Sequence, residues 1–492
     1  MQQYTGYGII IVYIFILYGI YRTIKKRSDF NHTIQNSIFA GGNVPTWLLT
    51  GSVFSGWLWV TSIVGSAEAC LIYGIAGAIG YAIGASISFL VMIPVILSIQ
   101  KYIPKGTVIS YMERRYHLEL RNYYYMFALL VAAYVMIEQA VGIGFVFNGI
   151  FDVSYKKISF LVVAITVIFV LLAGMKGTLY NDLFSGCIIL IAFFLIIGAI
   201  WNQIGIERIL VGIQDAKSNS NNVYHEAVIL KVTSATSIRY FIVSLIIALG
   251  QILFDSGYYL KSAIAKDEQV MKKAFLIGGI AIWCPVCLVS AITLAFSCVA
   301  LKIDLLQSQH INMDLATDLV VKVLGPTSAI IFAVLILCAG ITTISHYIVG
   351  LRWIFTVDFY IQKLKPEAIE KEKLQFGNLI IILIGVFCGL IAISLEDVSL
   401  LTIDMFSGVF FAAPCGALLV GLISKKAFGR LGQVSILLGL LCGFAMWFYA
   451  RTAYKQEAWI LGTMASFAIP IAFLWCAGFL IQKKSDLLES KQ

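Results

Sequence analysis

Long apolar segments, separated by short polar ones, run along the whole chain. Each apolar segment is about 18 to 28 residues long, and a helix needs about 20 such residues to cross the core of a bilayer. These segments do not show the alternation of apolar and polar positions that is typical of a membrane β-barrel. The pattern therefore predicts an all-α membrane protein. We place about thirteen transmembrane helices at 4–24, 45–74, 76–99, 122–150, 156–173, 181–204, 237–260, 274–300, 326–356, 376–394, 400–424, 430–450 and 457–482.

The sparse charge supports this interpretation and also indicates a topology. Charged residues make up 12% of the 492 residues, about half the fraction found in soluble domains. With the N-terminus outside, most of the 35 Lys and Arg residues fall on the inner side, as the positive-inside rule requires. We therefore expect a multi-pass protein of the plasma (inner) membrane, with its N-terminus outside and its C-terminus in the cytoplasm. The net charge of +9 is then a topology signal, and no nucleic-acid partner is expected.

The sequence lacks the motifs of several energy-converting and catalytic proteins. It contains no long hydrophilic domain and no GxxxxGK[ST] phosphate-binding loop, so ATP-driven transport by this chain alone is not predicted. Its five histidines form no metal-binding cluster and no pair of nucleophile and base, so we do not expect an enzyme. Such a chain is typical of a secondary transporter, with a channel as an alternative.

Two predicted helices contain glycine and polar residues where a continuous membrane helix is normally apolar. In the second helix, Gly51 and Gly56 bracket serines, and in the seventh the segment 250–259 contains Gln, Asp, Ser and Gly. Such positions are typical of discontinuous helices, whose freed backbone groups bind ions and solute. Because the two helices lie five apart, we predict a five-plus-five inverted repeat, with one half at 45–204 and the other at 237–424.

The helix predicted at 326–356 carries oxygen atoms that suit a sodium ion. Positions i, i+3 and i+4 share one helix face, so the Ala339 carbonyl and the hydroxyls of Thr342 and Thr343 can converge on one cation. The alternative is that both threonines bond to carbonyls of the preceding turn. His346, one turn further on, is interpreted as a packing histidine rather than a proton relay.

Five carboxylates lie in or near the predicted helices, namely Glu68, Glu138, Asp182, Asp255 and Asp404. Burying a carboxylate in a bilayer costs about 2.5 kcal/mol or more, so such residues usually face a cavity or a partner. Glu138 and Asp255 lie deep in their helices and are candidates for contact with a solute. Asp182 and Asp404 lie near helix ends and are interpreted as interfacial. The aromatic residues beside the two predicted breaks, which can stack on or gate a small solute, are Trp57, Trp59, Tyr258 and Tyr259.

Three motifs occur in the order found in a known transporter family. They read SIFAGGNVPTW at 37–47, TVISYMERRY at 107–116 and AGMKGTLYND at 173–182. From about residue 36 to residue 425, the sequence resembles the sodium:solute symporter family. The resemblance implies a LeuT-like fold, in which the five-plus-five inverted repeat is extended by one N-terminal helix and two C-terminal helices.

This fold implies a division of the chain into three parts. Residues 1–36 would form the extra N-terminal helix and a cytoplasmic loop, and residues 37–425 the transporter core. Within the core, an external loop at about 205–236 would separate the two repeats. Residues 426–492 would form the two C-terminal helices and a short cytoplasmic tail.

The resemblance also implies sodium as the coupling ion. In the family, the common sodium site combines carbonyls of the broken first core helix with a carbonyl and two hydroxyls of the eighth. The matching residues in this sequence are Gly51, Phe54, Ala339, Thr342 and Thr343. Asp182 matches an aspartate on the family's path of sodium release.

Further segments resemble the urea-transporter branch of that family. They lie at 59–66, 73–77, 81–85 and 254–265. The leading hypothesis is a sodium-coupled symporter that imports a small polar solute, with urea as the candidate, by alternating access. The residues expected to bind the solute beside the sodium ion are Trp59, Glu138, Asp255, Tyr258 and Tyr259.

Two alternatives stay open. A proton-coupled transporter of the same fold would use Glu138 or Asp255 as the proton carrier. A transporter-derived solute sensor would signal through a separate partner protein. Under the leading hypothesis the partners are the small polar solute and the lipid bilayer, with no obligatory protein partner.

Overall fold

The computed structural model describes residues 3–26, 33–103, 107–116, 118–308, 310–365, 367–396, 398–424, 428–453 and 457–489. The domain boundary predicted between residues 425 and 426 lies outside these ranges. Within them, eleven helices are long and apolar enough to cross a membrane, and no strand occurs apart from one isolated backbone bridge. The all-α membrane class is therefore confirmed, whereas the number of thirteen crossings stays a prediction.

The helices follow one another in chain order. The first nine are α1 (Gln3–Lys25), α2 (Ile34–Ser37), α3 (Thr46–Trp57), α4 (Val60–Tyr102), α5 (Val108–Tyr116), α6 (Leu118–Phe151), α7 (Tyr155–Gln203), α8 (Ile206–Ser218) and α9 (His225–Ile229). The others are α10 (Ala235–Leu253), α11 (Ser256–Ile264), α12 (Glu268–Leu276), α13 (Trp283–Leu301), α14 (Ile311–Asp314), α15 (Gly325–Trp353), α16 (Glu370–Ala392), α17 (Leu400–Ile423), α18 (Arg430–Ala453) and α19 (Ala458–Glu489). Segments of π-helix follow α12, α14 and α15, at Ile277–Ile282, Leu315–Val321 and Ile354–Leu364.

The helix predicted at 45–74 is interrupted for two residues between α3 and α4. The Trp59 N–H donates to Ser62 Oγ (3.0 Å), and the Val60 N–H donates to Gln139 Oε1 on α6 (2.7 Å). These side chains satisfy backbone donors that a break would otherwise leave unpaired inside a membrane. The break was predicted around Gly51–Gly56, but that segment stays helical and the break follows it.

The second break separates α10 from α11 and falls within the predicted segment 250–259. Asp255 Oδ1 accepts a hydrogen bond from the Gly257 N–H (2.8 Å) and thereby caps the start of α11. The Tyr259 hydroxyl donates to the carbonyl of Leu253, the last residue of α10 (3.0 Å). The side chains of Asp255, just before α11, and of Tyr259, on α11, thus hold the two ends of the break in place.

Two of the longest helices, α4 and α7, are kinked at one glycine each. The φ angle is 59° at Gly74 and 58° at Gly174, in the left-handed region that glycine adopts without strain. A Cβ atom on Gly74 would lie 2.0 Å from the Ala227 carbonyl oxygen. These glycines lie at the predicted boundaries between the second and third helices and between the fifth and sixth.

The packing around the two breaks places α3 at the centre of the molecule. Helix α3 contacts both α7 and α15, while α10 and α13 pack against α4. At the end predicted to be cytoplasmic, the Val44 N–H donates to the Ile264 carbonyl (3.0 Å), and the Lys266 N–H donates to the Val44 carbonyl (3.2 Å). These two bonds join the start of α3 to the end of α11.

Candidate solute and cation site

A cavity of about 40 Å³ lies beside the break between α3 and α4. Space of this size holds a few water molecules or a solute of similar size. Part of its lining comes from the break, from α4 and from α13. The rest comes from α10, α17 and α19, near the ends of these helices that are predicted to be external. The lining residues that carry candidate chemistry are Trp57, Trp59, Gln251, Trp283 and Asp404.

The indole groups of Trp57 and Trp59 present unpaired donors. Neither Nε1 atom has a hydrogen-bond partner among the described residues, although both are buried. The two rings meet edge to face, with centroids 5.2 Å apart, and Trp57 also packs on Phe89 and Tyr258. A buried N–H without a partner is costly, so a ligand oxygen that reached either donor from the cavity would be bound favourably.

Asp404 provides an acceptor on the same cavity. Its Oδ1 accepts hydrogen bonds from the Tyr134 hydroxyl (2.7 Å) and from Gln251 Nε2 (3.1 Å). Asp404 was interpreted as interfacial, but the structure places it half-buried in the cavity lining. Asp404 lies in the second turn of α17, close to the helix end, where an acidic residue is usually interfacial. The sequence does not show that a cavity extends to this depth and places Asp404 in its lining.

Glu138, one of the predicted solute-binding residues, lies behind the cavity rather than in its lining. Its side chain is fully buried on α6, and its Oε2 accepts a long bond from Gln139 Nε2 (3.4 Å). Glu138 Oε1 has no hydrogen-bond partner within the described part of the chain. Of the five predicted solute-binding residues, only Trp59 lines the cavity.

Asp255 is held by groups of the protein. Its Oδ2 lies 2.8 Å from His346 Nε2 on α15, and its Oδ1 accepts the Gly257 N–H. Both side chains are fully buried. His346 was interpreted as a packing residue, and the structure gives it an acidic partner on the second broken helix.

The two tyrosines predicted to contact the solute bond to the backbone instead. The Tyr258 hydroxyl donates to the Val53 carbonyl (3.4 Å), and the Tyr259 hydroxyl donates to Leu253. Neither residue lines the cavity. The structure therefore places both tyrosines where they tie α11 to α3 and α10.

The predicted sodium ligands on α15 are buried against α3. Thr342 Oγ1 lies within hydrogen-bonding distance of three carbonyl oxygens. They belong to Ser55 on α3 (3.0 Å) and to Cys338 and Ala339 on its own helix (2.9 and 3.0 Å). Thr343 Oγ1 has no partner among the residues described. The Thr343 hydroxyl is thus the member of the predicted set that fits an ion best.

The predicted ligands on α3, Gly51 and Phe54, lie within an intact helix. The Phe54 carbonyl accepts the Leu58 N–H (3.0 Å) at the helix end. Other carbonyls of this half-helix receive side-chain donors, namely those of Ser52 from Lys261, Val53 from Tyr258, Ser55 from Thr342 and Trp57 from Trp283. The protein itself therefore occupies much of the carbonyl surface on which an ion would bind.

A lysine lies at this surface. The fully buried Lys261 on α11 donates through Nζ to the Ser52 carbonyl (2.6 Å), while Ser52 Oγ donates to Asp182 Oδ2 (2.5 Å). The helix predicted at 237–260 ends just before Lys261, and Asp182 is interpreted as interfacial, but both side chains are buried. The second broken helix continues as α11 to Ile264, so Lys261 lies inside the protein. The sequence pattern does not predict this position.

The helical architecture, with two interrupted helices beside a small cavity, is that of a membrane transporter. The model of the sodium:solute symporter family matches residues 38–439. The chain belongs to this family, in agreement with the motifs described above.

The curated relatives of the chain include urea transporters. It is 23% identical to "Probable urea active transporter 1" of Schizosaccharomyces pombe, over 78% of the chain and 60% of the relative. It is 22% identical to "Urea-proton symporter DUR3" of Oryza sativa subsp. japonica, over 91% and 66%. It is also 22% identical to "Urea active transporter" of Saccharomyces cerevisiae, over 93% and 65%. The chain therefore spans 60 to 66% of the length of these relatives.

Solved structures show the same fold. One is a Na⁺-coupled sialic acid symporter in a substrate-bound outward-open state, with a TM-score of 0.71 and 17% identity over 95% of this chain and 97% of the other. Another is Mhp1, a nucleobase-cation-symport-1 family transporter in a closed conformation, with a TM-score of 0.51 and 12% identity over 90% and 95%. The predicted LeuT-like fold is thereby confirmed.

Proposed function

We propose that the chain is a cation-coupled symporter that imports a small uncharged polar solute of the urea type. One observation carries the proposal: two tryptophans whose buried indole N–H groups have no partner among the described residues, and a carboxylate, line the same small cavity. Urea presents one carbonyl acceptor and four N–H donors, so it can use both kinds of group at once. The names of the relatives support urea as the first solute to test.

In this proposal each group of the cavity has a defined role. The N–H groups of Trp57 and Trp59 donate to the solute carbonyl, and Asp404 Oδ2 accepts from a solute N–H while Tyr134 and Gln251 hold Oδ1. A site built on such hydrogen bonds rejects analogues that lack the matching group, because its own buried groups would then stay unpaired. Selectivity against apolar solutes of the same size follows.

The structure supports alternating access from an outward-facing state. The cavity reaches the ends of α10, α17 and α19 that are predicted to be external. At the opposite end, the Val44 backbone bonds close the inner side. We extend the proposal to the plasma membrane and to a topology with the N-terminus outside and the C-terminus in the cytoplasm, which the charge distribution supports.

Two coupling ions are proposed, and a different observation favours each. The unpaired Thr343 hydroxyl favours sodium, the ion in the family's name, at the predicted ligands Gly51, Phe54, Ala339, Thr342 and Thr343. Two findings favour a proton. Side chains of the protein already donate to carbonyls of α3, and the rice relative is a urea-proton symporter. In the sodium version, Asp182 lies on the path by which the ion leaves.

The test is uptake of radiolabelled urea into liposomes that contain the purified protein. An inward sodium gradient, an inward proton gradient, both gradients and neither are compared, with protein-free liposomes as the control for passive leak. Accumulation above the leak under either gradient supports symport and names the ion. If no urea-type solute accumulates under any gradient, the proposed function is wrong.

A further inference from the structure

Lys261 is a positive charge in the interior of the membrane domain. It lies on α11, its exposed fraction is 0%, and its ammonium donates to the Ser52 carbonyl. Burying such a charge costs several kcal/mol unless opposite charges and hydrogen bonds compensate it. The residue is not needed to line the solute cavity, so its position requires another explanation.

The space around the ammonium is shaped to admit it. A Cβ atom on Gly56 would lie 2.7 Å from Nζ, so the absence of a side chain at Gly56 makes room for the charge. The ammonium also lies 5.2 Å from the centre of the Tyr258 ring, within range of a cation–π interaction. Near its C-terminal end a helix carries partial negative charge, so the last turns of α3 favour a cation here.

Acidic groups from two helices face the ammonium. Asp182 on α7 reaches it through Ser52, whose hydroxyl binds the carboxylate and whose carbonyl binds Nζ. Asp255, just before α11, interacts with it electrostatically and is itself bonded to His346 on α15. Together with Tyr258, these are the titratable groups that the described residues place around Lys261, and they combine two carboxylates with the lysine ammonium and one histidine.

The ammonium lies on the face of α3 that meets α15. Ser52 and Ser55 are three residues apart, so their carbonyls lie on one face of the helix. Lys261 Nζ binds the first carbonyl, and Thr342 Oγ1 binds the second. A cation attached to the protein therefore occupies the same interface, one helical turn from the hydroxyl predicted to bind sodium.

We infer that the Lys261 ammonium acts as a built-in cation between α3, α7, α11 and α15, and that it replaces sodium at the interface of α3 with α15. The inference rests on the proposed symport function and specifies its ion requirement. The charge holds the two broken helices together in the outward-facing state, where a bound sodium ion would otherwise do so. The wild-type protein then has no sodium requirement at this interface.

The test compares thermal unfolding of the purified full-length protein in NaCl and in KCl at equal ionic strength. The variants are Lys261→Met, which keeps the side-chain length without the charge, and Lys261→Gln, which keeps a donor for the Ser52 carbonyl. Lys266→Met is the control, because Lys266 is exposed and lies just after α11. Wild type and control should unfold at the same temperature in both salts. Loss of the charge leaves Asp182 and Asp255 to attract sodium, so both Lys261 variants should gain about 2 °C or more in NaCl relative to KCl.

Two results would overturn the inference. One is a saturable stabilisation of the wild-type protein by sodium over potassium. The other is equal stability of the Lys261 variants in the two salts, which a purely structural lysine would give. If neither variant folds, the wild-type comparison still decides, together with urea uptake under sodium and potassium gradients. Unfolding requires no transported solute, so failure of the symport proposal is seen separately, as absence of uptake under every gradient.

Discussion

The solute cavity and the Lys261 cluster both border α3, yet their polar groups are paired to different extents. In the cavity, the indole donors of Trp57 and Trp59 have no partners among the described residues. In the cluster of Lys261, Asp182, Asp255 and His346, each residue has at least one bond to the protein, while Asp182 Oδ1 and His346 Nδ1 have no partner among the described residues. Unpaired groups beside open space indicate a ligand, whereas paired charges in a packed interior hold one arrangement of helices. The comparison therefore assigns solute binding to the cavity and control of the helix arrangement to the Lys261 cluster.

The largest effect is expected from removing the charge of the cluster. Lys261→Met in KCl should lower the free energy of unfolding by about 3 kcal/mol, because it leaves buried carboxylates without their cation. Chemical denaturation of the purified protein, with Lys266→Met as control, measures this. If Lys261→Met matched the wild type in KCl, the cluster would not be an electrostatic unit.

The next largest effect is expected at the acceptor of the cavity. Asp404→Asn should raise the KM for urea uptake about 30-fold, since a charge-assisted hydrogen bond contributes about 2 kcal/mol. Asp358→Asn is the matched control: Asp358 is buried and bonded to Thr107 (2.8 Å) but does not line the cavity. Equal KM values for the two variants would remove Asp404 from the solute site.

A smaller effect is expected at a donor of the cavity. Trp59→Phe keeps an aromatic ring but deletes the N–H, and should raise the KM for urea about 5-fold, or about 1 kcal/mol. Trp353→Phe is the control, because the Trp353 Nε1 is also buried without a partner among the described residues yet lies away from the cavity. A Trp59 variant with the KM of the wild type would contradict the donor role.

The smallest effect is expected at Tyr259, which the sequence predicts to bind the solute but which does not line the cavity. Tyr259→Phe removes the bond to the Leu253 carbonyl and should cost at most about 1 kcal/mol of stability. Its KM for urea should stay unchanged, because Tyr259 does not line the cavity. A KM raised as much as that of Trp59→Phe would restore Tyr259 to the solute site.

The fold was predictable because its signals are local and repeated. Apolar segments of membrane length mark the helices, and polar residues at 250–259 mark the second break. The first break was placed too early, since the glycines and serines of α3 serve close packing: a Cβ on Gly51 would lie 2.6 Å from Leu183. Small residues in a membrane helix indicate both breaks and contacts, and the sequence does not separate these uses.

The site was less predictable because its residues are combined by tertiary structure. Lys261 resembles a lysine at a membrane surface, since the apolar pattern ends at about residue 260. Only the turn at Asp255 directs α11 inward and buries it. Asp404 resembles an interfacial acid for the opposite reason, because the cavity reaches inward to meet it. In both cases the depth of the residue depends on geometry rather than on its distance along the helix.

The Val44 bridge at the inner end has a consequence for kinetics. Among the described residues, two backbone hydrogen bonds join the start of α3 to the end of α11, and each contributes about 1 kcal/mol net. Together they would bias the closed over the opened inner end by a population ratio of about 30 to 1. Helix movements that open such an end occur on the microsecond-to-millisecond scale. A solute in the cavity changes which conformer prevails only by its difference in affinity for the two conformers.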